Sequence, residues 1–130
     1  MIVNRKIENS ISYQIRGAIY DVYNSLGPGL LESVYEEALL AELNNRGLQV
    51  ERQKQIPITY KGKTLETKLR LDIIVENKVI VELKSVSELQ SVHFKQLDTY
   101  LKLSGLKLGI LVNFNTDDIE NNIIRRANNL

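Results

Sequence analysis

The sequence predicts an α/β fold in which a mixed sheet is flanked by helices, and three features predict it. Apolar residues recur at helical spacing in the first third, alternate every second residue from about residue 49, and return to helical spacing after residue 87. Three consecutive strand patterns are joined by short turns, the signature of an antiparallel meander. A helix then separates the third strand from a nearly continuous apolar run. It is long enough to be a right-handed crossover that brings the last strand back parallel to a neighbour.

The elements follow in order. From about residue 9 to residue 26, Ile11, Ile15, Ala18, Ile19, Val22 and Leu26 mark a helix, and Gly27, Pro28 and Gly29 stop it. Residues 31–46 form a second helix on Leu31, Val34, Tyr35, Ala38, Leu39 and Leu43, ended by Gly47. Residues 49–60 alternate loosely around Pro57, which suits a bent edge strand. Lys61-Gly62-Lys63 is a turn. Residues 64–76 alternate cleanly, with Leu65, Thr67, Leu69, Leu71, Ile73 and Val75 on one face. Residues 79–84 are a third strand. Ser87 with Gln90 has the capping-box spacing and opens a helix that runs to Ser104, where Gly105 closes it. The apolar run 108–114 is a strand buried on both faces. Residues 117–127 read as a short terminal helix.

Composition narrows the chemistry. The 130 residues fit one domain, 1–130, with 43% hydrophobic and 25% charged side chains, ordinary for a soluble globular protein. Cysteine is absent, which excludes disulfides, thiolate catalysis, iron–sulfur clusters and cysteine-ligated zinc. His93 is the one histidine, so a multi-histidine metal site is excluded and a Ser-His-Asp triad is disfavoured. No apolar run approaches the roughly 20 residues that cross a bilayer, and the polar start is unlike a signal peptide. No membrane association and a cytoplasmic location are expected. A net charge of +1 argues against indiscriminate coating of nucleic acid, so any such contact should run through a local patch.

Charges within strands carry the functional signal. In the third strand Glu82 and Lys84 share a face, one pleat apart. Asp72 joins them only if the intervening loop has an odd number of residues. A three-residue loop, Glu76-Asn77-Lys78, sets Asp72 opposite Glu82 and Arg70 opposite Lys84. It also gathers the Leu, Ile and Val residues of both strands on one face. Two carboxylates and an ammonium beside a covered sheet suit Mg²⁺ or Mn²⁺, hard ions that prefer oxygen ligands and accept phosphate oxygens. Such an ion polarises a phosphoryl oxygen and acidifies an attacking water, while Lys84 stabilises the developing negative charge. The Leu83 carbonyl between them could supply a further ligand.

Asp72 followed by Glu82-Leu83-Lys84 resembles the core of the PD-(D/E)XK nuclease superfamily, whose restriction-endonuclease-like αβββαβ core is similar to the element order above. More narrowly, Gly29-Leu30-Leu31-Glu32-Ser33-Val34-Tyr35 resembles the Gly-x-x-Glu-x-x-Tyr motif of the GxxExxY protein family. The stretch through His93, Gln96-Leu97, Tyr100, Ser104 to Lys107 and Asn113-Phe114 also looks like that family. The likeness covers about residues 7–124. It implies that Asp72 and Glu82 hold a divalent metal, that Glu32 joins them as a ligand or through water, and that Lys84 is the catalytic lysine. It also implies that Tyr35 orients Glu32 or water, and that Gln96, His93 and Tyr100 support the site from a helix. Leu71 stands where the superfamily pattern has proline, a position without metal chemistry.

Each residue also has a purely structural reading. Glu82 and Lys84 could form a solvated salt-bridge face, and Glu32 could serve the helix dipole. Tyr35 could be a core aromatic, and His93 and Gln96 ordinary helix residues. The basic residues near the meander could guard a sheet edge, with Arg70 and Lys68 as the phosphate-contact candidates. The expectation is therefore a Mg²⁺- or Mn²⁺-dependent nuclease acting on DNA or RNA. The alternatives are a non-catalytic nucleic-acid- or protein-binding domain on the same fold, or a small-molecule phosphohydrolase. A homodimer or protein partner could complete the basic surface.

Overall fold

The computed structural model describes residues 2–130. Two helices, α1 (Ile2–Leu26) and α2 (Glu32–Asn45), precede β1 (Val50–Ile56). Two short strands follow, β2 (Thr59–Tyr60) and β3 (Lys63–Thr64), and then β4 (Leu69–Val75) and β5 (Val79–Lys84). Helix α3 (Ser91–Ser104) leads to β6 (Leu108–Asn113), and a 3-10 turn (Glu120–Asn122) leads to β7 (Ile123–Ala127). Strand order in the main sheet is β1-β4-β5-β6-β7, and β2 and β3 form a separate two-stranded sheet. The β1–β4, β4–β5 and β6–β7 pairs are antiparallel and β5–β6 is parallel. The expected meander with one returning parallel strand is what forms.

Helices cover both faces of this sheet, so its central strands are apolar on both sides. Ile15 and Ile19 of α1 and Leu39 and Leu43 of α2 pack with Val79, Val81, Leu83, Ile110 and Val112. Leu97 and Leu101 of α3 pack with Ile74, Ile80 and Leu111 on the opposite face. Every residue of β6 is buried. Among the described residues no helix is long and apolar enough to cross a membrane.

Four boundaries differ from the sequence expectation. Helix α1 begins at Ile2, not near residue 9, and no glycine or proline stands between them to stop it. The expected single strand 64–76 is two pieces, with the β2–β3 hairpin inserted ahead of β4. Helix α3 starts four residues later than Ser87. Its cap is Gln90, whose backbone N–H donates to His93 Nδ1 at 2.9 Å, so the box sits one turn downstream of the expected one.

The fourth difference is the largest. Residues 117–127 form a turn and an edge strand, not a helix. Ile119 and Ile123 are four apart, which mimics helical spacing, but Ile123 packs into the α1/α2 core and Ile124 against the α3 core. That two-residue alternation lets β7 cover the edge of β6 that the crossover would otherwise leave unpaired.

Helix α3 approaches β6 closely over Gly109, where an added Cβ would meet Leu97 Cδ1 at 2.7 Å. Leu97 is fully buried and has little room to yield. Gly109→Ala is expected to lower unfolding free energy by about 1–3 kcal/mol in urea titrations, and adding Leu97→Ala should relieve the steric part. An unchanged midpoint for the single variant would contradict this packing.

Candidate active site

The site is built on a fork between β4 and β5. The three-residue loop 76–78 forms as the odd-loop register requires. Glu76 and Asn77 adopt left-handed φ of 55° and 54°, and the Lys78 N–H donates to the Val75 carbonyl at 3.0 Å. The backbone ladder runs from Val75↔Val79 to Ile73↔Val81 and then ends. One rung further, side chains replace it. The Asp72 N–H donates to Glu82 Oε2 at 2.9 Å, and the Leu83 N–H donates to Asp72 Oδ2 at 3.0 Å. Asp72 and Glu82 therefore lie side by side and hold each other's strand.

Asp72 is also released on its other side. Strand β1 pairs with β4 through Arg52↔Ile73 and Lys54↔Leu71, and the rung between them, Gln53 with Asp72, is missing. Gln53 has φ 53°, a left-handed conformation that costs a non-glycine residue about 1–3 kcal/mol. This turn reverses the face of both strands. Ile73 and Val75 pack with α1 and α2, whereas Leu69 and Leu71 pack with α3. The expected common face for these four residues is thus corrected to a phase change at Asp72. Val50 and Ile56 of β1 divide the same way.

The reversal is held by a buried carboxylate that the sequence reading passed over. Glu36 of α2, 7% exposed, accepts from Arg52 Nη2 at 3.0 Å and from Gln53 Nε2 at 2.6 Å. In a regular strand these consecutive residues would point to opposite faces. Glu36 lies one turn beyond Glu32, a spacing the sequence displayed. Gln53 carried no such signal, because its conformation depends on the tertiary contact.

Helix α2 presents Glu32 in its first turn. Ser85 Oγ donates to the Leu30 carbonyl at 2.6 Å. Ser85 thus ties the end of β5 to the start of α2. Tyr35 does not orient Glu32. It is fully buried and stacked on Phe114 with ring centroids 4.4 Å apart. Its hydroxyl donates to the Gly27 carbonyl and accepts from the Leu30 N–H, so it anchors the loop that delivers Glu32. Asn113, 1% exposed, brackets Val86 by accepting from its N–H and donating to its carbonyl, each at 3.0 Å.

From the opposite layer, α3 contributes Tyr100, whose hydroxyl accepts from Gln96 Nε2 at 2.8 Å. Burial raises the Tyr100 pKa, and the charges of Glu82 and then Asp72 push the same way. His93 is turned to the helix cap instead. Lys84 lies within the field of Glu32, Asp72 and Glu82 and lowers the pKa of each, yet it forms no ion pair among the described residues. Leu83 lines the cleft with Glu32, Ser33, Glu36, Gln53 and Asp72, around a volume of about 290 Å³. Arg70 and Lys68 are exposed, and the ladder ends before Arg70 could face Lys84.

The acids are held against their preference. Glu82 is 3% exposed, and burial, reinforced by Asp72, pushes its pKa up to about 8. Asp72 is raised chiefly by burial, and Glu32 by burial and then by Asp72. The donor set is all carboxylate oxygen, which fits a hard divalent cation. Among the described residues, however, no three acidic, histidine or cysteine side chains close on a single point, because Asp72 and Glu82 are engaged with backbone N–H groups.

A carboxyl whose folded pKa lies above its unfolded value binds protons more tightly in the native state. Its stabilising contribution is complete below the unfolded pKa and is lost as pH rises toward the folded one. For Glu82 that window runs from the ordinary glutamate value of 4.5 to about 8. Metal-free protein should therefore lose thermal stability as pH rises from 5 to 8 across that window. Glu82→Gln should flatten the slope and gain about 1–3 kcal/mol at the alkaline end. A wild-type Tm independent of pH across this range would contradict the assignment.

A family model of the PD-(D/E)XK nuclease superfamily matches residues 9–126. No curated protein and no solved structure gives a significant match. The matched span includes both sheet-covering layers and the whole fork, with Asp72 on one strand and Glu82-Leu83-Lys84 on the next. By this match the chain belongs to the PD-(D/E)XK nuclease superfamily.

Proposed function

We propose that residues 1–130 form one nuclease domain that hydrolyses phosphodiester bonds of nucleic acid with Mg²⁺ or Mn²⁺. Enzymes of this superfamily generally use divalent metal ions. The observation that carries the reading is the reciprocal Asp72–Glu82 exchange at the fork, in the field of Lys84 and beside Glu32. The narrower likeness of residues 29–35 to the GxxExxY family supports Glu32 as part of the same site.

Asp72, Glu82, Glu32 and the Leu83 carbonyl would hold the cation, which when bound polarises the phosphodiester and lowers the pKa of water. Lys84 is the cation of the protein closest to this chemistry, and it stabilises negative charge as it grows on phosphorus. The raised pKa values of the acids help at this point. They keep the site from standing as a cluster of bare charges, and proton release accompanies ligation. Tyr100, whose hydroxyl accepts from Gln96, would support the site from the α3 side. Arg70 and Lys68 would contact phosphates flanking the cut, in a soluble, cytoplasmic protein.

A second reading, a non-catalytic binding domain on the same fold, is favoured by one observation. Both central carboxylates are already satisfied by backbone donors. Calorimetry and cleavage separate the two readings. Wild type should bind Mn²⁺ with measurable heat, and Asp72→Ala should abolish it. Lys84→Ala should bind Mn²⁺ within a few-fold of wild type and lose about 100-fold or more in cleavage of a panel of single-stranded, duplex, branched and RNA substrates. Metal binding that survives Asp72→Ala would reject the site. Metal binding without cleavage of any substrate would favour the binding domain.

A further inference from the structure

Positive charge is concentrated in one segment. Residues 52–70 carry six basic side chains against a single acid, Glu66, a formal +5 in a chain whose total is +1. The remainder of the chain is therefore at a formal −4. Arg52 is engaged by Glu36, and Lys54 lies 3.8 Å from Glu51. Lys61, Lys63, Lys68 and Arg70 have no acidic partner among the described residues.

Most of this charge sits on or beside the β2–β3 hairpin, which packing alone does not explain. Its strands pair only through Thr59↔Thr64 and Tyr60↔Lys63, extended by the Leu65 N–H donating to the Ile58 carbonyl at 2.9 Å. None of residues 57–68 joins either core. A hairpin this short gains little stability from its own ladder. At its tip, Lys61 and Gly62 take left-handed φ of 49° and 79°. Tyr60 is 61% exposed, with the Lys61 ammonium 5.5 Å from its ring centroid.

The hairpin leaves the main sheet where β1 ends and β4 begins. Asp72 is three residues into β4 from Leu69, about 10 Å at the usual strand rise. We propose that this hairpin docks an unpaired nucleic-acid strand. Tyr60 stacks on a base, while Lys61, Lys63, Lys68 and Arg70 follow the phosphates toward the fork. An exposed ring among unpaired cations recognises base faces and backbone together, and those faces are free only when the strand is unpaired. Strands of two residues are too short to fill a duplex groove as a ribbon. An acidic peptide would satisfy the lysines and leave Tyr60 without a flat partner. A lipid surface would need apolar neighbours, and Tyr60 is the one exposed large apolar side chain on this hairpin.

The direction of the strand rests on the nuclease reading; the docking itself does not. Binding is therefore measured without metal, by fluorescence anisotropy of a labelled oligonucleotide of about 16 residues in EDTA. Wild type should bind the single strand more tightly than a duplex of the same sequence. Tyr60→Ala should weaken single-strand binding about 10-fold or more. The Lys61→Ala/Lys63→Ala double variant should reduce the slope of log affinity against log salt by about 1.4. Mn²⁺ calorimetry on the same variants should match wild type, since the hairpin lies outside both cores and the carboxylate site. Unchanged affinity and salt slope in both variants, a preference for duplex, or tighter binding to polyglutamate than to the single strand would each overturn the proposal. Loss of single-strand binding in the variants would sustain it even if no substrate is ever cut, so the two readings fail separately.

Discussion

Two carboxylates stand in for two rungs of a β-ladder, and the candidate site depends on that substitution. Antiparallel strands are normally held by backbone N–H groups donating to carbonyls. Past Ile73↔Val81 the strands part, and Asp72 and Glu82 each accept a backbone N–H from across or beside the gap. A splayed pair of strands in a covered sheet would otherwise leave buried donors without partners, at about 1–3 kcal/mol each. The acids make the fork tolerable, and the fork gives the acids a cleft. Removing either carboxylate therefore disturbs structure as well as chemistry, which is why metal binding and cleavage must be read alongside folding.

The electrostatics run against stability and toward ligand binding. Three elements bring four acids to the fork and the cleft beside it, and burial raises the pKa of Asp72, Glu82 and Glu32. Lys84 opposes that shift at all three without pairing to any. Glu36 is buried as well, and its carboxylate accepts from Arg52 and Gln53. The division is physical. Glu36, held by two side chains, serves the scaffold, whereas the raised pKa values of the other three acids are the mark of a functional-site candidate. Sites of this kind are held in place by the stability of the surrounding core.

How much of this was legible in the sequence follows from where each signal resides. The register that sets Asp72 beside Glu82 could be read from the length of the 76–78 loop and the apolar alternation around it, both local properties. The layering of helices on the sheet was legible for the same reason. The phase change at Gln53 was not, since its left-handed backbone is sustained by Glu36 from another element. Reading strict alternation through residues 69–75 consequently put Leu69 and Leu71 on the wrong face. Strand β7 was missed because Ile119 and Ile123 fit a helix as well as a turn followed by a strand. Only the open edge of β6 decides between them. Tyr35 and His93 were located on the right helices, but their polar atoms serve a loop and a cap.

The two sides of the fork differ in how firmly they are held. On the β5 side, the strand is paired in parallel to β6, and its exit is secured by Asn113 on Val86 and by Ser85 on Leu30. Glu82 is thereby built into a strand whose first five residues are all buried, and Lys84 sits half-buried at its end. On the β4 side, Asp72 has lost its rung to β1 and is joined to β5 by two side-chain–backbone bonds. A cation arriving between the strands would compete for Asp72 against one Leu83 N–H, a smaller demand than shifting β5 against both cores. The arrangement accordingly assigns adjustment to Asp72 and reference geometry to Glu82.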